Sequence, residues 1–309
     1  MIRNRLARNR HVAPAGSIAT LTPADIPRLR VGNHPRLRPG DAESLVIQAP
    51  GLSKWHPASG EFLVVTPWRH REDIPAVNVL HAFEHEDDLL TAAVASANEQ
   101  GKAAFVLMDA FELRRPLFYE RNRLEKLESI LTYEHRAPED LLVDAPPVRQ
   151  EFEPWFGGDD AMLDELVALD HAAFPWLWRN SREEFLAYAR MPFVEIWVGR
   201  IGDRVTSYLG ITHFRGWSHL DRIAIVPDVQ GQGLGRETLR AAVQRMLDTG
   251  SERVGLSTQK NNLRSRRMYE RSGFRETPDL NYDVYGILFD EGKRQMREGG
   301  TGETLDHGK

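Results

Sequence analysis

Apolar residues in this chain follow two periods, and the switches between them mark its elements. The run Leu220-Asp221-Arg222-Ile223-Ala224-Ile225-Val226-Pro227 is apolar, β-branched and ends at a proline, so it predicts a buried strand. A short loop follows with glycines at 231, 233 and 235. From Arg236 to Leu247 the positions Leu239, Val243, Met246 and Leu247 recur at helical spacing. The predicted unit is strand, glycine loop, helix. Downstream, Arg253 to Thr258 predicts another strand, and Ser265, Met268 and Tyr269 share one face of a following helix. Gly273 stands where a helix C-cap glycine belongs, Phe274 can fold back on that helix, and Tyr282 to Phe289 predicts a last strand.

Upstream, Asp160 to Phe174 reads as an amphipathic helix through Met162, Leu163, Leu166 and Leu169, broken at Pro175. Ser181 and Glu184 form a capping box that opens the next helix. Phe193–Arg200 and Val205–His213 predict a hairpin across Gly202. These elements define a unit at 155–290. Residues 16–135 form an earlier α/β unit, with short strands at Ser44–Gln48 and Glu61–Val65 and a helix from Glu84 to Gly101. A strand at Ala103–Met108, a helix from Arg115 to Leu127 and a strand at Leu127–Glu134 complete it. Residues 136–154, with prolines at 138, 146, 147 and 154, read as a linker. Residues 1–10, with four arginines, and 291–309, rich in glycine and charge, read as disordered.

Composition narrows the chemistry. The 309 residues suit two domains. A formal charge of -5 argues against nonspecific nucleic-acid binding. No apolar run reaches the roughly 18 residues of a membrane helix. The absence of cysteine excludes disulfides, a Cys nucleophile and Cys-ligated zinc, and suits a cytoplasmic protein. The scattered histidines predict no metal site.

The glycine loop is a phosphate cradle by its physics: glycine admits close approach, and the first N–H groups of the following helix lack partners. It fits neither the Walker pattern nor Gly-x-Gly-x-x-Gly. It resembles the Gln/Arg-x-x-Gly-x-Gly/Ala loop of the GNAT N-acetyltransferases, with Gln230, Gly233 and Gly235. Asn262, Ser265, Met268-Tyr269 and Gly273-Phe274 resemble that family's fourth helix. The resemblance covers about 130 residues. It implies a mixed α/β sheet flanked by helices, an acetyl-CoA donor and direct transfer to an amine acceptor. It places Gln230, Gly231, Gln232, Gly233, Leu234, Gly235 and Arg236 on the pyrophosphate. The backbones of Ile225 and Val226 go to the pantetheine, and Asn262 and Ser265 to the rest of CoA, with Asn261 leaving the register open. Tyr269 matches the family's general acid. The general base is His219 or Asp221, which alternate onto one strand face with Ile223 and Ile225. Phe174, Trp176, Trp178 and Arg179 match the acceptor-side loop and suit an apolar acceptor bearing a carboxylate. The 16–135 unit shows no glycine loop before Glu84, so it is either a GNAT-like repeat without a phosphate site or an unrelated accessory domain. A monomer or homodimer is expected. The rival to an enzyme is a noncatalytic acyl-CoA-binding module.

Overall fold

The computed structural model describes residues 18–30, 37, 39–109, 116–143 and 146–298. The first half supplies β1 (Ala19–Thr20), α1 (Pro39–Val46), β2 (Lys54–Trp55), β3 (Phe62–Trp68), β4 (Arg71–His81), α2 (Glu86–Glu99), β5 (Ala104–Met108), α3 (Pro116–Arg121) and β6 (Glu125–His135). The second half begins with β7 (Glu151–Trp155), α4 (Asp160–Ala173), α5 (Arg182–Ala189), β8 (Val194–Ile201), β9 (Arg204–Phe214) and β10 (Trp217–Ile225). It ends with α6 (Leu234–Asp248), β11 (Arg253–Gln259), α7 (Leu263–Arg271), β12 (Arg275–Glu276), β13 (Tyr282–Leu288) and α8 (Asp290–Glu298). Among the described residues no helix is long and apolar enough to cross a membrane.

The strands form one mixed sheet in the order β1-β2-β3-β4-β5-β13-β6-β11-β10-β9-β8-β7, with β12 on β6. One series, hairpin, helix, strand, helix, strand, occurs twice: β3-β4-α2-β5-α3-β6 and β9-β10-α6-β11-α7-β13. Each series sends its last strand into the other half. β6 pairs with β11 from Ile130↔Gln259 to His135↔Val254. β13 pairs with β5 from Ala104↔Leu288 to Met108↔Val284. β6 and β13 pair with each other at the join. The sheet therefore does not part at 136–154, and the last strand of the 155–290 stretch lies against β5.

Four local expectations change. Ser44–Gln48 is the end of α1 and the turn after it, not a strand. Ala42 and Val46, four apart, are both buried there against Trp55 and Phe62, so the period is helical. β4 went unpredicted because Arg71 to Pro75 breaks its apolar run. The helix expected to reach Leu127 stops at Arg121, where Arg123 takes φ 56 before β6. Residues 151–154, expected in the linker, belong to edge strand β7 on β8. Part of the expected disordered tail, 290–298, is α8, seated where a Cβ on Gly292 would meet the Ala103 carbonyl at 2.1 Å. Residues 1–10 and 299–309 lie outside the described residues.

With β13 wedged between β5 and β6, the halves are expected to unfold together. Denaturant titration should give one transition, shared by tryptophan fluorescence and far-UV circular dichroism. Val284 is 0% exposed, and Val284→Ala should lower that single stability by about 2 kcal/mol. Two separate transitions would show independent halves.

Candidate active site

The two central strands run parallel but pair only from Trp217↔Arg253 to Leu220↔Leu256. Beyond that point β10 follows β9 to Ile225 and β11 follows β6 to Gln259, so they part. The β9–β10 register shifts between Leu220 and Arg222, a bulge at the branch point that re-aims the side chains around Asp221. A cavity of about 310 Å³ opens between the strands. His219, Asp221, Asn262, Ser265 and Tyr269 all line it.

The glycine loop follows the end of β10 and leads into α6, outside the lining of this cavity. Gly231 and Gly233 have φ 83 and 90, which only glycine adopts without strain. Gly233 caps α6 with no side-chain acceptor. Among the described residues the N–H groups of Gln232, Gly233, Leu234 and Gly235 meet no acceptor. Gly235 lets α6 approach α7: a Cβ there would lie 3.2 Å from Met268 Sδ. Two guanidinium groups flank this cradle. Arg149 Nη2 donates to the Gln232 carbonyl at 2.7 Å, and Arg264 Nη1 to Gln230 Oε1 at 2.5 Å. The Gln230 amide donates to the Ile225 carbonyl at 2.9 Å. Arg236 is exposed on the first turn of α6. Val226 does not offer the free backbone expected of it. Its N–H donates to the Thr206 carbonyl at 3.0 Å, and its carbonyl accepts from Val229 N–H at 3.2 Å.

The proton-handling groups lie in the opening itself. His219 Nδ1 is 2.7 Å from Asp221 Oδ1, and its Nε2 is 3.3 Å from Ser257 Oγ. The other Asp221 oxygen accepts from Thr212 Oγ1 at 2.5 Å and from the Tyr188 hydroxyl. Burial, then the Asp221 charge, pushes the Tyr188 hydroxyl far above its ordinary pKa, so it donates to that carboxylate. Glycine makes room for the Tyr188 ring: a Cβ at 210 would meet it at 2.9 Å. On α7, burial raises the Tyr269 hydroxyl well above its ordinary pKa, and a hydrogen bond with Ser265 offsets only part of that. Asn262 caps α7 by accepting from Ser265 N–H at 3.2 Å, which identifies it, rather than Asn261, as the cap residue.

The opposite wall comes from the loop after α4. Phe174 and Trp178 line the cavity; Trp176 and Arg179 do not. Trp176 is buried in the core cluster of Trp68 and Ile74, with the Arg71 guanidinium 5.0 Å above its ring. Arg179 Nε donates back to the Phe174 carbonyl at 3.3 Å. Behind the wall a buried cluster fixes β10 to α4. Asp170, 0% exposed, pairs with Arg222 and the Tyr208 hydroxyl and accepts the Asn180 N–H at 2.8 Å. Arg222 also stacks 3.6 Å over Phe174. The Ser181 cap is only half a box: Ser181 Oγ accepts from Glu184 N–H at 3.0 Å, while the Glu184 carboxylate pairs with His70 at 2.6 Å.

Residues 160–274 match the model of the Acetyltransferase (GNAT) family. These residues form a GNAT acetyltransferase domain, and with relatives named as acetyltransferases the chain is an acyltransferase. The mycothiol acetyltransferase of Propionibacterium freudenreichii subsp. shermanii is 25% identical to it over 250 residues, 72% of this chain and 78% of that one. The spermine/spermidine N(1)-acetyltransferase of Bacillus subtilis is 33% identical over 73 residues, which span 23% of this chain and 48% of that protein. Among solved structures, a probable N-acyltransferase from Enterococcus faecalis superposes with TM-score 0.62 at 10% identity, covering 89% of this chain and 73% of that one. A tandem GNAT protein from the clavulanic acid biosynthesis pathway superposes with TM-score 0.56 at 12% identity, covering 88% and 98%. At these identities the likeness is one of fold, and it spans both halves.

The cavity also holds residues that the sequence alone did not single out: Tyr188, Ser257 and, from the first half, Arg69. Arg149, which flanks the glycine loop, sits in the stretch read as a linker. None lies in a local motif, and only the tertiary fold brings them in.

Breaking the buried cluster should be costly. Arg222→Met leaves Asp170 as an unpaired buried carboxylate, and stability should fall by about 3–5 kcal/mol. Adding Asp170→Asn should recover part of that. The measurement is denaturant unfolding of both variants; a loss under about 1 kcal/mol in Arg222→Met would show that the ion pair does not hold the strand.

Proposed function

We propose that this protein moves an acetyl group from acetyl-CoA to a primary amine by direct transfer in the opening between β10 and β11. One observation carries the reading: an imidazole held by a carboxylate and a buried, protonated tyrosine line one cavity beside an open helix N-terminus. The unpartnered N–H groups from Gln232 to Gly235, with Arg149 and Arg264 beside them, fit a pyrophosphate. Acetyl-CoA, when bound there, supplies the activated thioester carbonyl. Asp221 keeps Nδ1–H on His219, so Nε2 is the basic nitrogen. Asp221 itself already accepts from three donors, which favours His219 over Asp221 as the base. Nε2 takes one proton of the attacking ammonium. The amine nitrogen forms the C–N bond, the C–S bond breaks, Tyr269 gives its hydroxyl proton to the departing thiolate, and the second proton lost by the nitrogen returns to the Tyr269 oxygen, leaving a neutral amide. Relatives named as acetyltransferases support acetyl as the group moved. Their names point to different acceptor molecules, so the acceptor is argued from the cavity.

Among the described residues the first half has no glycine loop before its corresponding helix. Its α2 stands where α6 stands in the second. At its entrance the Glu61 carboxylate, 3% exposed, accepts the His85 N–H at 2.9 Å and the Glu84 N–H at 3.4 Å. Three acids, Glu86, Asp87 and Asp88, fill its first turn. The chain's own carboxylate takes the place of a phosphate. Calorimetric titration with acetyl-CoA should therefore give one site per chain. Gly233→Val should weaken that site at least tenfold, about 1.4 kcal/mol, in protein that still folds. Two equivalent sites, or unchanged affinity in a folded Gly233→Val variant, would refute this assignment.

Steady-state transfer to an amine panel tests the chemistry. Tyr269→Phe should slow turnover by roughly 10²-fold or more with little change in acetyl-CoA affinity. His219→Ala should likewise lower the rate by roughly 10²-fold with little change in acetyl-CoA affinity. Full activity in both variants would take the acid and base roles away from Tyr269 and His219, whereas acetyl-CoA binding with no transfer to any amine would reduce the protein to a binding module.

A further inference from the structure

The second half does not build the acceptor side of the cavity alone. β3 and β4 are joined by a tight turn at Arg69 and His70, with φ 53 and 52. Two successive non-glycine residues in the left-handed region form a costly turn that surrounding contacts must hold. Across the cavity those contacts go to the loop after α4 and to the start of α5. Trp68 Nε1 donates to the Leu177 carbonyl at 2.7 Å, Arg71 Nη1 to the Trp176 carbonyl at 2.5 Å, and Ser181 Oγ to the Arg69 carbonyl at 3.2 Å. His70 pairs with Glu184 at 2.6 Å.

The turn delivers the Arg69 guanidinium into the cavity that His219 and Tyr269 also line. Its Nε donates to Asn180 Oδ1 at 2.8 Å, and the group lies 5.8 Å from the Trp178 ring centre. Neither Nη has a hydrogen-bond partner among the described residues. The nearby carboxylates are engaged elsewhere: Asp170 with Arg222, Tyr208 and the Asn180 N–H, Glu184 with His70, and Asp221 with His219, Thr212 and Tyr188. Burial first, and the Arg222 cation next, pull the Arg69 pKa down to about 10 despite the fields of Glu184 and Asp170. Arginine's planar fork matches a carboxylate through two parallel N–H groups. A fork fixed at Nε with both Nη groups open is an anion site without its anion.

We infer that Arg69, supplied by the first half, binds a carboxylate of the acceptor, so that the substrate is an amine bearing an acid group and an apolar body set against Phe174 and Trp178. The amine rests on the transfer reading above; the carboxylate site stands on the cavity itself. The two are separated by using phenylacetate and its neutral isostere phenylacetamide as binding probes in calorimetry on the full chain. Phenylacetate should bind at least tenfold more tightly than phenylacetamide. Arg69→Gln should remove that preference and leave acetyl-CoA affinity unchanged. Asn180→Ala, which frees Nε but keeps the backbone bond to Asp170, should weaken phenylacetate severalfold and decides the matter should Arg69→Gln not fold. In turnover with acetyl-CoA, phenylalanine should exceed phenethylamine in kcat/KM at least tenfold, and Arg69→Gln should level them. Equal binding of acid and amide, or phenylacetate affinity untouched by both variants, overturns the proposal. Arg69-dependent phenylacetate binding without transfer to any amine upholds the carboxylate site and overturns the transfer reading instead.

Discussion

The parting of β10 from β11 beyond Leu220 and Leu256 is the constraint on which the site depends. Two adjacent strands that stop pairing leave backbone groups unsatisfied, and a sheet closes such a gap unless something holds it. Here each strand is held on its far side, β10 by β9 and β11 by β6. The Asp170–Arg222 pair adds a second anchor, tying β10 to α4 below the opening. With the gap fixed, the glycine loop begins where β10 ends and α7 where β11 ends, and α6 and α7 approach each other at Gly235 and Met268. The opening is thus a property of both halves, since β6 belongs to the first.

The same layout in the two halves gives opposite electrostatics. At the entrance of α6 stand glycines and two arginines; at the entrance of α2 stands Glu61 with three more acids. The first half repeats the series of elements with a carboxylate at the entrance of its helix, where Glu61 accepts the His85 N–H. What it contributes instead is support and reach: a strand beside β11, and a hairpin turn that carries Arg69 across to the acceptor wall.

Local signals were the legible ones. The strand, glycine loop and helix at 220–247, and the Asn262-to-Phe274 pattern, are each continuous stretches of under thirty residues, where spacing alone determines which side chains share a face. Of their residues, His219's neighbours Asp221 to Ile223 and Asn262, Ser265 and Tyr269 line the cavity. The choice between His219 and Asp221 was not legible, because it rests on Tyr188, Thr212 and Ser257, which reach them from three other elements. The short apolar run at 44–48 fitted either period, and burial of Ala42 with Val46 decided for helix. Trp176 and Arg179 looked like wall residues by position in their loop, yet that loop's path turns them into the core and back onto the backbone. The exchange of β6 and β13 pairs strands more than a hundred residues apart, which no local window contains.

That exchange also sets an order of events during synthesis. The place between β5 and β6 is filled by residues 282–288, so the first sheet cannot close while the chain is still being made. Until residues 282–288 leave the ribosome, β5 and β6 each present an open edge with its N–H and C=O groups unpaired, the kind of surface that recruits strands from other chains. The first half is made early but must wait for this strand of the second before its sheet is whole. Loss of β13 therefore injures the first half, far from it in sequence but adjacent to it in the sheet.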